Sequence, residues 1–408
     1  MCSWTACDVI DIFNKKGSAV YGSAMDLSKA FDMVDWGELF RILERREVDP
    51  IFLRVLLHIY KYQQCGVKWN SSYSYRFNIK NGVRQGAVSS PLLFSVYIND
   101  LILLLRESGF GCHLGGFYVG CLGYADDLLL LSGSRSGLQC MVHIAEKFMR
   151  GKNLKFSTNV DPVKSKTKCI IFSKKNKDLR DVAPILLNGD PLPWVQQVKH
   201  LGNVLQCDNS MRVDCSLKRG KFIGKINSLL QEFKFCDPHV KIKIFNIFAT
   251  SFYGSGLWDL ASNEVDRFFK SWNVAVRMAF GVPPTTHRYL IEHLSGVPHP
   301  KTMLSSRYTK FVDCLLTSSK PEVAFLANMS VSDNRTVMGK TVTRLKREVD
   351  CQDITANLVK NKVKYFPVEE WRLSYLDELV SVEAGDSCID NSFSSSDVRS
   401  MISFLCTI

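Results

Sequence analysis

Asp126 and Asp127 sit side by side after Tyr124-Ala125 and before an apolar run that ends at Leu131. Adjacent carboxylates between apolar stretches repel one another unless a cation neutralises them. Hard divalent cations such as Mg²⁺ take carboxylate oxygens together with substrate phosphates. The segment therefore reads as half of a two-metal phosphoryl-transfer site, with a solvated acidic turn as the bland alternative. Asp26, a hundred residues upstream at the end of a short apolar stretch, is the natural third carboxylate. It reads equally as an N-cap, because Phe31, Val34 and Leu39 follow with helical spacing, and a strand-to-helix junction satisfies both readings. Asp32 and Asp35 fall inside that expected helix and are the weaker ligand candidates, with Asp32 read as structural.

Between the acidic motifs lies Gly82-Val83-Arg84-Gln85-Gly86-Ala87-Val88-Ser89-Ser90-Pro91, which leads into an apolar run through Val96, Ile98 and Leu101. Gly86 permits close backbone approach, and Pro91 suits the first turn of a helix. A polar loop feeding a buried helix can contact a nucleotide, here through Gln85 and Gly86.

In this order the segments DLSKAFDMVDW, GVRQGAVSSPLLFSVYINDLI and GYADDLLLLS resemble motifs A, B and C of reverse transcriptases, most closely those of non-LTR (LINE-type) retrotransposons. Lys164–Phe172 resembles motif D, Val198-Lys199-His200-Leu201-Gly202 the primer grip, and Tyr253–Trp258 a segment of the thumb. Ordered motifs over roughly residues 1–300 make the resemblance specific. It implies an α+β fold: a right-hand polymerase palm of antiparallel sheet with packed helices and truncated fingers (1–207), then a helical thumb (208–300). Beyond the resemblance, pattern and composition read as a C-terminal helical extension (301–384) and a Ser/Asp-rich flexible tail (385–408).

Carried over residue by residue, the resemblance makes Asp26 and Asp126 ligands of two Mg²⁺ ions, with Mn²⁺ as a substitute and Asp127 as the adjacent carboxylate. Phe31, five residues after Asp26, stands where the family places an aromatic steric gate against a 2′-hydroxyl. Phe31, Gln85, Gly86 and Lys166 would meet the deoxynucleoside triphosphate. Tyr124, His200, Leu201 and Gly202 would meet primer and template. The implied reaction is RNA-directed DNA synthesis by attack of a primer 3′-hydroxyl, on an RNA template with a DNA primer. The implied place is intracellular, and nuclear during target-site DNA synthesis.

Only 25 residues precede Asp26, where the family carries a larger fingers region. The expectation is therefore a fragment with weak activity of its own. The alternative is an inactive relic that retains nucleic-acid binding. Ala87 and Ser89 depart from the family's usual Gly and Leu in motif B.

Charge supports a nucleic-acid partner. The net charge of +12 falls unevenly: residues 1–163 carry +3, residues 164–243 carry +9 and residues 244–408 carry zero. Lys218, Arg219, Lys221 and Lys225 form the densest part of the basic stretch and are the candidate duplex contacts. Fourteen cysteines form no CxxC pair and no zinc spacing, so they read as reduced thiols. His287, His293 and His299 suit no metal motif. No apolar run is long enough for a membrane span.

The elements that must position these groups follow from periodicity. Helices are expected over 8–16, 36–62 with a break at Pro50, 91–106 and 137–151. Strands are expected at 19–26, through alternating Tyr73, Tyr75, Phe77 and Ile79, at 117–131 around the Asp126 turn, and at 168–173. Short strands about the Asn188-Gly189-Asp190 turn should fill 184–206. Beyond 207 the pattern is helical, with Ile223, Ile226, Leu230 and Phe233 on one face and Val265, Phe268, Trp272 and Val276 on another.

Overall fold

β1 (Val20–Asp26) is the centre of the molecule's main sheet. The computed structural model describes residues 1–158, 165–174, 181–286 and 299–349. Helix α1 (Cys2–Lys15) precedes β1; α2 (Trp36–Arg45) and α3 (Pro50–Lys61) follow it. Four two-residue strands come next: β2 (Gln64–Cys65), β3 (Lys68–Trp69), β4 (Ser72–Tyr73) and β5 (Phe77–Asn78). After α4 (Ser90–Glu107) come β6 (His113–Leu114), β7 (Phe117–Tyr118), β8 (Cys121–Tyr124) and β9 (Asp127–Ser132). α5 (Arg135–Gly151) and β10 (Lys168–Phe172) lead to β11 (Ile185–Leu187), β12 (Asp190–Leu192), β13 (Trp194–Val195), β14 (Gln197–His200) and β15 (Asn203–Gln206).

The five-stranded sheet runs β13-β10-β1-β9-β8. Its pairs are antiparallel except the edge pair β10–β13, which is parallel and makes the sheet mixed rather than wholly antiparallel. Leu128 to Leu131 are all buried, so both faces of β9 are covered. Met25, Leu128, Leu130 and Cys169 join one apolar cluster with Phe94, Tyr97 and Leu101 of α4 and Leu138 and Met141 of α5. Leu129 and Leu131 point to the opposite face. α1 packs against β1 and β8.

Local chemistry sets the boundaries. Asp35 caps α2 by accepting from the Glu38 N–H at 2.7 Å. Asp49 caps α3 through the Ile51 and Phe52 N–H groups, and Pro50 occupies its first turn. Pro50 thus starts the second helix, as well as breaking the pattern. The helix expected to begin at Asp26 does not: Asp26 is the last residue of β1, residues 28–33 are turn, and Asp35 is the cap. The long strand expected around Tyr73–Ile79 is instead split among short ribbon pieces, because its side chains find no core to alternate against.

The chain divides into two compact units, Met1–Asp214 with Ser318–Ser330, and Cys215–Thr317 with the described residues from Val331 onward. The division falls at Asp214, against the palm boundary expected at 207, and the described residues from 301 to 349 contribute to both units. The reason lies in α10 (Pro321–Ser332), numbered after α6 (Arg212–Glu232), α7 (Pro238–Ala249), α8 (Asn263–Phe280) and α9 (Pro300–Leu316). The Ser330 hydroxyl donates to buried Asp8 of α1, and the Phe325 ring lies 5.2 Å from Phe117. Burial pushes the Asp8 carboxyl up to about 6.

The second unit is helical, ending with α11 (Val337–Val349) among the described residues. Phe222, Phe245, Phe268 and Trp272 form its aromatic centre, with the Phe222 and Trp272 rings stacked at 5.9 Å. The face expected on α8 is buried as read: Val265, Phe268, Trp272 and Val276. The face expected on α6 is rotated. Phe222, Ile226 and Leu229 are buried, while Ile223 and Phe233 are exposed. Lys164, His287, His293 and the expected tail lie outside the described residues.

Candidate active site

Asp26 and Asp127 are cross-strand partners of β1 and β9, so their side chains share a face of the sheet. Asp126 belongs to the two-residue turn that joins Tyr124 to Asp127. Ala125, the first turn residue, has φ +53°, a left-handed value that an L-residue adopts against its preference. The three carboxylates are half-buried. Burial, then Asp126, then Asp26 raise the Asp127 carboxyl above the usual range, and Lys199 opposes the rise.

The end of β1 is fixed from the other side. The Asp26 N–H donates to Thr167 Oγ1 at 3.3 Å, and the Asp26 carbonyl accepts from Ser157 N at 2.7 Å. Asp26 Oδ2 is shut off from solvent and accepts no hydrogen bond from the described residues. The Lys166 ammonium lies 3.6 Å from that oxygen. Among the described residues no three His, Cys, Asp or Glu side chains stand close enough together to hold a metal ion. The carboxylates are neighbours in electrostatics and register, short of a closed ligand cluster.

Phe31 stacks on buried Phe94 of α4, with ring centres 5.1 Å apart. The loop that carries it is sewn to the segment before α4. Val83 N donates to the Phe31 carbonyl at 2.7 Å, and Gly82 N to the Val34 carbonyl at 2.8 Å. The Trp36 indole N–H donates to the Gly82 carbonyl at 2.8 Å. A Cβ on Gly82 would meet the Asp32 carbonyl oxygen at 2.8 Å, and its φ is +87°. Gly82 is thus the glycine at which backbone meets backbone, while Gly86 has a positive φ and open space around it. Gln85 is exposed, and its Nε2 donates to Asp32 Oδ1 at 2.8 Å. Sequence reasoning gave Asp32 a place inside a helix and missed this partnership, which only the tertiary approach of the two loops creates.

The remaining candidates divide. Tyr124, beside the acidic turn, is 63 % exposed. Leu201 and Gly202 form the two-residue turn of the β14–β15 hairpin, both with positive φ, and Gly202 is exposed. His200 is 3 % exposed; its Nδ1 lies 3.0 Å from Ser3 Oγ, and burial lowers the ring to about 4. The expected contact between the His200 ring and nucleic acid is corrected: the ring is an internal support, because strand alternation turns Lys199 outward and His200 inward. Lys199 was overlooked, although that alternation within the quoted motif points to it.

On α6, Lys221 is exposed, while the Lys218 ammonium lies 5.7 Å from the Tyr253 ring and 5.8 Å from Trp258. Lys225 donates to the Phe248 carbonyl at 3.2 Å. Arg219 lines a groove of about 300 Å³ with Phe222, Ile226, Arg267 and Lys270.

The profile of the family described as reverse transcriptase (RNA-dependent DNA polymerase) matches residues 2–205. The chain is 27 % identical over 165 residues to the Pol polyprotein of a type-1 retrotransposable element R2 from Nasonia vitripennis, covering 40 % of this chain and 16 % of that one. It is 32 % identical over 127 residues to the 149 kDa protein of transposon TX1 from Xenopus laevis, covering 31 % and 10 %. The matched stretches thus span a small part of these relatives. Among solved structures, apo telomerase from Candida tropicalis is similar at a TM-score of 0.40 and 11 % identity, over 80 % of this chain and 56 % of that one. With half of its length matched by the family profile and its motifs in order, the chain belongs to the reverse transcriptase family, among the relatives of non-LTR retrotransposon Pol proteins.

Proposed function

We propose that this chain extends a DNA primer on an RNA template, transferring deoxynucleotides by two-metal phosphoryl chemistry. The observation that carries the reading is the register of Asp26 against Asp127, with Asp126 on the adjoining turn. The donor set fits hard divalent cations: carboxylate oxygens only, one of them shielded from solvent and, among the described residues, faced by the Lys166 ammonium without a hydrogen bond. Asp26, Asp126 and Asp127 would hold Mg²⁺, or Mn²⁺ in its place. Such ions, when bound, neutralise the triphosphate and lower the pKa of the attacking hydroxyl.

The rest is positioning by the chain's own residues. Phe31, propped on Phe94, limits the room beside the sugar and so favours deoxynucleotides. Gln85, its amide held by Asp32, and the loop at Gly86 would border the nucleotide. Lys166 would exchange its contact with Asp26 for the phosphates. Tyr124 and the Leu201-Gly202 turn would lie along the primer and template. The palm role falls to the sheet and the thumb role to the helical residues that follow.

A second reading is nucleic-acid binding without turnover. It is favoured by the Lys166 ammonium already set against Asp26, and by the absence of a closed ligand cluster among the described residues.

One assay separates the two. Template-directed dNTP incorporation by the purified chain is compared with that of Asp126→Asn. The polymerase reading expects the substitution to lower incorporation by on the order of 10²–10³ or more. Equal incorporation by both proteins refutes the catalytic assignment, and binding with no incorporation by either supports the second reading.

A further inference from the structure

From Pro50 to Asn99 the chain holds no Asp or Glu, against Arg54, Lys61, Lys68, Arg76, Lys80 and Arg84. In a protein with 40 acidic residues among 408, a fifty-residue stretch without one is a local bias. Its middle is the ribbon β2–β5. β3 pairs with β4 and β2 with β5, and the two halves join where Val67 N donates to Ser74 Oγ at 2.9 Å.

This ribbon turns its large rings to solvent. Trp69 is 77 % exposed, Tyr73 70 % and Tyr75 97 %. Rings of this size contribute to a fold when buried, and here they leave most of their area in solvent. Lys68 and Tyr73 are cross-strand partners, with the ammonium 5.5 Å from the ring centre. Arg76 sits beside Tyr75 and is exposed. Flat apolar rings interleaved with unopposed cations match a polymer of alternating bases and phosphates. The match is to a single strand, because the base faces of a duplex are already stacked on one another.

We propose that the β2–β5 ribbon binds single-stranded RNA, with Trp69, Tyr73 and Tyr75 stacking on bases and Lys68 and Arg76 meeting phosphates. The surface chemistry selects a single strand; the choice of RNA rests on the polymerase reading above. The site needs no metal and none of the three Asp residues.

The test is fluorescence anisotropy of a short labelled oligouridylate titrated with the whole chain in chelator, so that its result is independent of catalysis. Trp69→Ala/Tyr73→Ala/Tyr75→Ala should weaken binding by at least about tenfold and leave affinity for a duplex unchanged. Tyr73→Phe, which keeps the ring, should bind as the parent does. Lys68→Gln/Arg76→Gln should flatten the dependence of log affinity on log salt by roughly 0.7 for each charge removed. The replaced rings are exposed, so the melting temperature should not move. Unchanged oligouridylate affinity in the triple variant would overturn the proposal and leave the rings to a protein contact. An equal loss for duplex and single strand would overturn the stacking role. Binding of oligothymidylate but not oligouridylate would overturn the choice of RNA.

Discussion

Two hairpins of the first unit have the same loop length and opposite chemistry. β11 and β12 are joined by Asn188-Gly189, with φ of +52° and +87°. Asn-Gly is the pair such a turn prefers, since both positions are left-handed. β8 and β9 are joined by Ala125-Asp126, where Ala125 holds φ +53° without a glycine's freedom and a carboxylate follows beside another. The first turn is chosen for folding. The second accepts backbone strain and charge repulsion, which marks it as a place selected for something other than stability.

The comparison is tested most severely by exchange. Ala125→Asn/Asp126→Gly gives the acidic hairpin the sequence of the quiet one. Incorporation should fall by on the order of 10²–10³, while the urea midpoint rises. The rise should grow with pH. Asp127 has a raised carboxyl, so its contribution is present at low pH and lost as pH rises past the ordinary carboxylate range. Removing Asp126 reduces that loss. An exchanged protein that incorporates normally would break the link between strain and function.

The β14–β15 hairpin extends the contrast to a buried base. The His200 ring, lowered to about 4, stays neutral in the fold but charges in the unfolded chain. Its contribution is complete above pH 6.5 and lost as pH falls toward 4. His200→Gln should remove a loss of about 3 kcal/mol over that window, read as urea stability at pH 7 against pH 4.5. Parallel pH profiles for the two proteins would refute it.

Smaller effects sharpen the backbone argument. Gly189→Val places a β-branched residue at φ +87° and should destabilise by about 1–2 kcal/mol in thermal melts. Ala125→Gly should do the reverse, stabilising by about 0.5 kcal/mol after the glycine's own entropy is counted. If Ala125→Gly instead destabilises, the acidic turn is not strained.

Legibility in the sequence followed the length scale of the physics. Asp26, Asp126 and Asp127 stand in short contiguous motifs at the ends of apolar strands, which a local pattern can reveal, and the β1–β9 register pairs Asp26 with Asp127. The α8 face was legible because one helical period governs it. The α6 face was not. Phe222 is chosen over Ile223 by the rings of Phe268 and Trp272, which come about fifty residues later. Gln85 meeting Asp32, and Gly82 closing on the Asp32 backbone, are likewise contacts between loops that no local pattern encodes. The alternating Tyr73, Tyr75 and Phe77 misled for the opposite reason. Their pattern has strand periodicity, but what sets the side chains there is exposure rather than a core.

The tie between Asp8 and Ser330 has a consequence for how the molecule is made. A ribosome releases α1 first and must then pass residue 317 before α10 exists. At about 5–20 residues per second, the intervening residues 215–317 alone take on the order of 10 s. Through that interval Asp8 has no Ser330 hydroxyl and Phe117 no partner ring. The first unit therefore completes only after residues 215–317 of the second have been synthesised. The order of birth along the polypeptide and the order of closure are different, and a nascent chain stalled before Pro321 holds an α1 whose buried acid is still waiting for its donor.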